Sequence, residues 1–285
     1  MNAVWMIAKH SLRECLRRKV FLLVPIATVG FIALYTLGNH FAFRSTSGTT
    51  SIGQGAVDAR ALTGASLVGL SMFVTLFLAS AVGIFLTFGT VRGDAEQGIL
   101  QAFVVRPVAR WGLMIGRFVG ASIVCSTFAL FLYSASVLIT WAIGAWHPEP
   151  LVAPGLLIVA AVEVVIVLCL LGSTFLSALA NGIGVFMLYG AGLLAGLLGQ
   201  LGEALNQPSL ETIGKVTAWM LPFEALYQSG LNSLTSGATG LTRVIVQLGP
   251  LGGAEAGGPQ LIAWFAIYMV AAGALAIRLF ERRDL

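Results

Sequence analysis

Six long apolar runs constrain this chain more than anything else: Val20–Leu37, Leu67–Phe88, Leu113–Trp141, Leu151–Leu176, Ile183–Leu201 and Leu261–Leu279. A hydrocarbon core about 30 Å thick is crossed by roughly 20 such residues in a helix. Inside it every backbone N–H and C=O needs a partner, which a helix supplies within itself. Each run therefore reads as a transmembrane helix. The third is long for one crossing, so it tilts or carries one end out of the bilayer. The first is too long for a typical signal-peptide core, and no small-residue cleavage site follows "YTLGNH". It reads as a retained helix, with Pro25 as a site for a kink.

Only 10% of residues are charged, against about 25% in soluble domains. A soluble fold is excluded on that ground. No repeat and no separate soluble domain stands out, so residues 1–285 read as one transmembrane domain. The expected fold is an all-α, polytopic membrane protein with six transmembrane helices.

The orientation follows from the cations. Lys9, Arg13, Arg17, Arg18 and Lys19 precede the first span, and Arg92, Arg106, Arg110 and Arg117 lie between the second and third. Arg278, Arg282 and Arg283 end the chain. With both termini inside, twelve of the sixteen Lys and Arg are cytoplasmic; Arg44, Arg60, Lys215 and Arg243 are outside. The positive-inside rule selects this N-in/C-in arrangement. Residues 1–19 carry Val4, Ile7, Ala8, Leu12, Cys15 and Leu16 at helical spacing, with Lys9, Arg13, Glu14 and Arg17 opposite. They read as an amphipathic N-terminal helix in the cytoplasmic interface, anchored to the lipid or flanking a partner's docking site.

Two outer segments are substantial. The 39–66 loop is rich in Gly, Ser and Thr and reads as flexible. In the 202–260 segment, Trp219, Met220, Phe223, Leu226 and Tyr227 recur near helical spacing and are interrupted by Pro222. It is too broken to span and reads as an interfacial or re-entrant helix pair, followed by the flexible connector "GPLGGAEAGGPQ". It is also a possible surface for an extracytoplasmic partner. Asn181 and Gly182 read as the cytoplasmic turn between the fourth and fifth spans.

One polar interval needs its own account: "GDAEQGILQAFVVRPVARWGLMIGR", Gly93–Arg117. Asp94 can cap a short helix, with Gln97 reaching back three residues later. Asp94 and Glu96 also suit the positive end of that helix dipole. Ile99, Leu100, Phe103 and Val104 form one apolar side. Pro107 ends it, because Arg106 before a proline is disfavoured in the α region. Residues 90–112 thus read as a cytoplasmic elbow that holds a short capped amphipathic helix ended by Pro107. The elbow either stiffens the hairpin and fixes topology or docks in a partner's groove through its i, i+3, i+4 anchors.

Within the spans, Glu163 is the one deep carboxylate. A charge at mid-bilayer costs about 2.5–3.5 kcal/mol on insertion scales. Glu163 is therefore neutral, paired or turned to a cavity. It is a functional site, or else a structural carboxyl bonded to a Ser or Thr of the third helix. Gly116 with Gly120, and Gly192 with Gly196, are GxxxG pairs suited to close helix packing, within the chain or at a dimer seam.

Other chemistry finds little footing. Cys15, Cys125 and Cys169 form no CxxC or disulfide pattern and read as small apolar residues. His10, His40 and His147 are scattered, and His147 with Glu149 in "WHPEP" makes no metal site. No catalytic or metal motif appears, and no basic stripe for nucleic acid.

The elbow resembles the cytoplasmic signature of ABC-2-type permeases. Asp94 and Glu96 stand for that family's acidic pair, Gly98-Ile99-Leu100 for Gly-Thr/Ile-Leu, and Pro107-Val108-Ala109-Arg110 for its turn. Gly116-Arg117 opens the third span. Ile99 where Thr is commoner, and Arg117 where Lys is common, are mild departures. The basic N-terminus, the six spans, "LPFEALYQSG" and the final "ERRDL" fit the same pattern. A looser similarity points to the branch serving nitrous-oxide-reductase maturation. The resemblance implies that the elbow is a coupling helix docking on a separate ABC ATPase subunit. Asp94, Glu96 and Arg110 would contact its charged rim, Ile99, Leu100 and Phe103 would fill its groove, and Gly98, Arg106 and Pro107 belong to the same coupling segment. It also implies a second permease chain, a homodimer in preference to a heterodimer, in the inner (plasma) membrane. The expected function is the permease subunit of an ATP-driven exporter.

No cofactor is expected in this chain; ATP and Mg belong to the partner. A P-loop needs Gly-Lys-Ser/Thr to meet phosphate and magnesium. The only Gly-Lys here is Gly214-Lys215, followed by Val216, so the chain is not expected to be an enzyme. Two alternatives stand: a secondary transporter using Glu163, and a non-transporting anchor or force-transmitting subunit for an extracytoplasmic protein.

Overall fold

The structure, a computed structural model, describes residues 20–45, 49–52, 55–89, 110–235 and 257–282. The amphipathic segment 1–19 and most of the elbow lie outside them. The elements are α1 (Val20–Ser45), β1 (Thr49–Ile52), β2 (Gly55–Asp58), α2 (Ala59–Thr87), α3 (Arg110–Gly144), α4 (Val152–Ser173), α5 (Ala178–Ala204), α6 (Pro208–Met220), α7 (Pro222–Thr235) and α8 (Pro259–Glu281). Among the described residues, α1 to α5 and α8 are six helices long and apolar enough to cross a membrane. Among the described residues the protein is all-helical apart from one small hairpin.

Several boundaries differ from the apolar runs. α1 continues past Leu37 to Ser45, and α2 begins at Ala59, before Leu67. Between them β1 and β2 pair antiparallel, Thr49 opposite Asp58 and Ile52 opposite Gly55. The expected flexible loop is thus mostly ordered. Hydropathy marks where a helix contacts apolar surroundings, and the helix itself continues for as long as its backbone ladder is unbroken. α4 stops at Ser173, ahead of Leu176, and α5 starts at Ala178, ahead of Ile183. Asn181 therefore lies in the first turn of a helix, and the connecting turn is 174–177.

α4 is the central post, packed by α2, α3, α5, α7 and α8. Val68, Met72 and Leu76 of α2 meet Cys125 and Ala129 of α3, and Ile158, Val162 and Ile166 of α4. Lipid tails are as apolar as these side chains, so burial alone does not hold the bundle together. Close van der Waals packing over small residues does. α2 buries Gly64, Ala65, Gly69, Ser71, Ala79, Ser80 and Gly83 among its larger side chains. Gly116 and Gly120 are buried on α3.

At the end away from the elbow, α6 and α7 form a helical hairpin broken at Leu221–Pro222. Proline opens both helices, where its missing N–H costs no hydrogen bond. At 14 residues α7 is too short to cross a bilayer. It nevertheless inserts against α4, α2, α5 and α8, burying Phe223, Leu226, Tyr227, Leu231 and Leu234.

Candidate functional site

Glu163 lies midway along α4, half-buried. α3 presents Ser122 and Ser126 one turn apart on one face. Ser126 Oγ donates to Glu163 Oε1 at 2.9 Å, and Ser122 Oγ donates to Oε2. The carboxyl is thus held by two hydroxyls of the third spanning helix. Among the described residues no Lys, Arg or His stands in ion-pair range of it.

Gly192 and Gly196 face the inserted hairpin. A methyl on Gly192 would lie 2.5 Å from Phe223 Cζ, and one on Gly196 would run into the Glu224 carboxyl. Further along α5, Gly199 abuts Gly214 of α6 backbone to backbone; a Cβ there would sit 3.1 Å from the Gly214 Cα. This face of α5 is occupied by the chain's own α6 and α7, so a seam with a second chain would have to use another. Lys215 follows Gly214 on the same helix and forms an i,i+4 ion pair with Glu211, a setting unlike a phosphate loop.

Three arrangements were not foreseen from the sequence. The first is Asn181, fully buried at the elbow end. Its Nδ2 donates to the carbonyls of Phe88 at 3.0 Å and Cys169 at 2.9 Å, tying α5 to the ends of α2 and α4. Gly172 leaves the room this amide needs, since a methyl there would strike Asn181 Oδ1. The second is Glu224, 5% exposed at the start of α7, which accepts from Gln228 Nε2 at 2.8 Å. Tyr189 stacks on Phe223 with ring centroids 5.4 Å apart. The third joins α1 to α3: Tyr35 OH and Thr140 Oγ1 are 2.7 Å apart, and Thr140 Oγ1 donates to Asn39 Oδ1 at 3.1 Å. The i,i+4 spacing of Tyr35 and Asn39 was the sequence signal for the last of these.

The coupling residues Asp94, Glu96, Gly98, Ile99, Leu100, Phe103, Arg106 and Pro107 lie outside the described residues. Arg110 opens α3. What the structure gives is their mounting: α2 and α3 pack along one another and bracket residues 90–109.

Six helices long and apolar enough to span, around a small-residue core and with an inserted helical hairpin at one end, define, among the described residues, a polytopic helical membrane protein. The model of the ABC-2 family transporter proteins matches residues 5–285, and the chain belongs to that family. It is 27% identical over 149 residues to the probable ABC transporter permease protein NosY of Pseudomonas aeruginosa, covering 52% of this chain and 48% of that protein. The NosY protein of Stutzerimonas stutzeri is 26% identical over 138 residues, 48% of this chain and 45% of that one. The matched region thus spans about half the length of these curated relatives.

Proposed function

We propose that this chain is the transmembrane subunit of an ATP-driven exporter whose ATPase is a separate protein docked on residues 90–112. The carrying observation is membership of the ABC-2 transporter family along residues 5–285, supported by the likeness to permeases named as ABC transporter subunits. Twelve of sixteen Lys and Arg then face the ATPase side, with both termini cytoplasmic. Ile99, Leu100 and Phe103 would fill the ATPase groove, and Asp94, Glu96 and Arg110 would line its rim. A second copy of the chain would complete the permease. α1, α5 and α8 leave much apolar surface exposed for lipid or that copy.

ATP binding closes the partner dimer and presses on the elbow, and the spans then rock between inward- and outward-facing arrangements. The deciding experiment replaces Leu100 and Phe103 by Asp in the complex reconstituted in vesicles. Loss of permease-stimulated ATP hydrolysis, with the permease still folded, supports docking there. Unchanged stimulation overturns it.

A second reading is favoured by one observation. α7 is wedged into the bundle while α6 beside it presents exposed Ile213, Val216, Trp219 and Met220. Such a hairpin would also pass motion to an extracytoplasmic protein without any cargo crossing. Co-purification of a protein from the outer side, lost on Trp219→Asp, separates the two.

A further inference from the structure

Two helices grip the inserted hairpin, and one buried amide ties them together at the elbow end. α2 offers Phe73 and Phe77, one turn apart. Their rings meet Tyr227 of α7 at 6.3 Å and Tyr189 of α5 at 6.2 Å between centroids. α5 offers Tyr189, stacked on Phe223, and the bare backbone at Gly192 and Gly196, over which Phe223 and Glu224 lie. The hairpin's turn thus rests midway along α5. From Gly192 back to Asn181 α5 is one continuous helix, about 16 Å of it at 1.5 Å per residue. Along that stretch α2 meets α5 through ring edges, Phe77 with Tyr189 and Phe85 with Phe186 at 6.1 Å. Ring edges tolerate sliding. The bond from Asn181 Nδ2 to Phe88 O is directional, and it stands at the point where the chain leaves α2 for the elbow. Asn181 Oδ1 is buried with no partner among the described residues. The amide is held through its N–H groups alone, and the bare oxygen costs stability. A side chain there for packing alone would not carry that cost.

We propose, on the reading of residues 90–112 as the ATPase contact, that Asn181 is the positioning residue that couples the elbow to the hairpin. It makes the end of α2 and the start of α5 move as one when the elbow is pushed. With the amide in place, a displacement entering through Phe88 carries α2 and α5 together, and the rings of Tyr189, Phe223 and Tyr227 follow. Without it, α2 slides along its ring contacts, α5 stays behind, and the displacement is lost before it reaches the hairpin. Gly172 belongs to the same device, because a methyl there would run into Asn181 Oδ1.

The test uses the full chain in lipid nanodiscs together with the ATPase that co-purifies with it. Ser229 of α7 is buried, so maleimide labelling of Ser229→Cys, in a Cys15→Ser background, reports opening of the hairpin; Cys125 and Cys169 are buried as well. A non-hydrolysable ATP analogue should change the labelling rate by at least about fivefold, the low end of coupling between two sites. Asn181→Ala should remove that change while the ATPase still binds with unchanged affinity. Gly172→Ala, which keeps the amide and displaces it, should act in the same direction and serves if Asn181→Ala does not fold. Leu132→Ala opens a cavity in a fully buried part of α3. It lowers the melting temperature by another route and should leave the nucleotide response intact, which a merely structural role for Asn181 would not allow for one and forbid for the other. A response that survives Asn181→Ala, or Gly172→Ala where the first does not fold, would overturn the coupling role and leave the ATPase contact standing. So would an equal loss in Leu132→Ala, or a bound ATPase whose nucleotide never alters the labelling. An ATPase that does not bind residues 90–112 at all would overturn both readings together.

Discussion

Asn181 donates its side-chain N–H to the carbonyl oxygen of Phe88 at 3.0 Å, across 93 residues of sequence. Phe88 is the first residue past α2 and stands just ahead of the elbow. The same amide reaches Cys169 O on α4, so three helix ends meet at one buried nitrogen. Replacing Asn181 by Ala strands the Phe88 carbonyl, which lies past the end of α2, and removes the second bond to the Cys169 carbonyl, which keeps its helical partner. Leaving a buried acceptor unmade costs about 1–3 kcal/mol, to be read as a lowered melting temperature in detergent. Gly172→Ala, which pushes a methyl into the same amide, should lower it similarly. Two unchanged melting curves would show that the link contributes nothing.

The glycines of α5 should differ sharply by position. Gly196 lies under the Glu224 carboxyl, whereas a Cβ at Gly190 meets nothing within 4 Å. Gly196→Ala is expected to loosen the α6–α7 hairpin and increase protease cleavage there. Gly190→Ala should be neutral or stabilising by about 0.5–1 kcal/mol, the helix preference of alanine over glycine. Similar behaviour of the two variants would contradict the packing described.

The serines of α3 should behave as a pair. Ser122→Ala or Ser126→Ala alone leaves Glu163 one hydroxyl. Hydrogen bonds between membrane helices average about 0.6 kcal/mol in measured cycles, so each single change should be mild. The double change removes every donor seen on that carboxyl and should cost more than the two singles added. Glu163→Gln relieves that excess, because an amide is cheaper to bury than a carboxylate. A double variant that is merely additive would count against a shared carboxyl.

Cys125 and Cys169 are both fully buried and free of disulfides. In a Cys15→Ser background, a bulky maleimide should leave the folded chain unlabelled and add two labels after denaturation, read by intact mass. Labelling of the folded protein at either position would show that the core opens. Run against temperature, the same assay measures the losses expected for Asn181→Ala and Gly172→Ala.

How far the sequence carried the reading depends on what each residue answers to. The six spans were legible because hydropathy responds to the bilayer, an environment that every lipid-facing residue shares. A Ser or Thr of the third helix was one of two readings open for Glu163, since a mid-membrane carboxyl needs a partner; which hydroxyls serve, Ser122 and Ser126, came only with the structure. Asn181 was misread because Asn-Gly is a strong local turn signal, here overridden by two carbonyls more than ten residues away. Glu224 was passed over for a similar reason. Its segment looks too polar to enter a bundle, and only the bare glycine face of α5 makes its burial possible. Helix ends such as Ala59–Ser66 were invisible to hydropathy, because small and polar residues continue a helix without being apolar.

The mounting of the elbow also sets a gearing ratio. α2 has 29 residues, and at 1.5 Å rise per residue it is a rod of about 43 Å. Asn181 pins the elbow end of that rod to its two neighbours, so that end serves as the fulcrum. A tilt there of about 5° sweeps the far end of a 1.5 Å-per-residue rod of this length through roughly 4 Å. That is about the width of one side-chain contact, reached only at the Ala59 end of α2. Phe73 and Phe77, midway along α2, are the residues that touch Tyr227 and Tyr189, and at 1.5 Å per residue the same tilt shifts them by about 1–2 Å. A small angular stroke at one face of the bundle therefore grows with distance along the rod, from part of a contact at these rings to a whole one at the far end, with no helix having to bend.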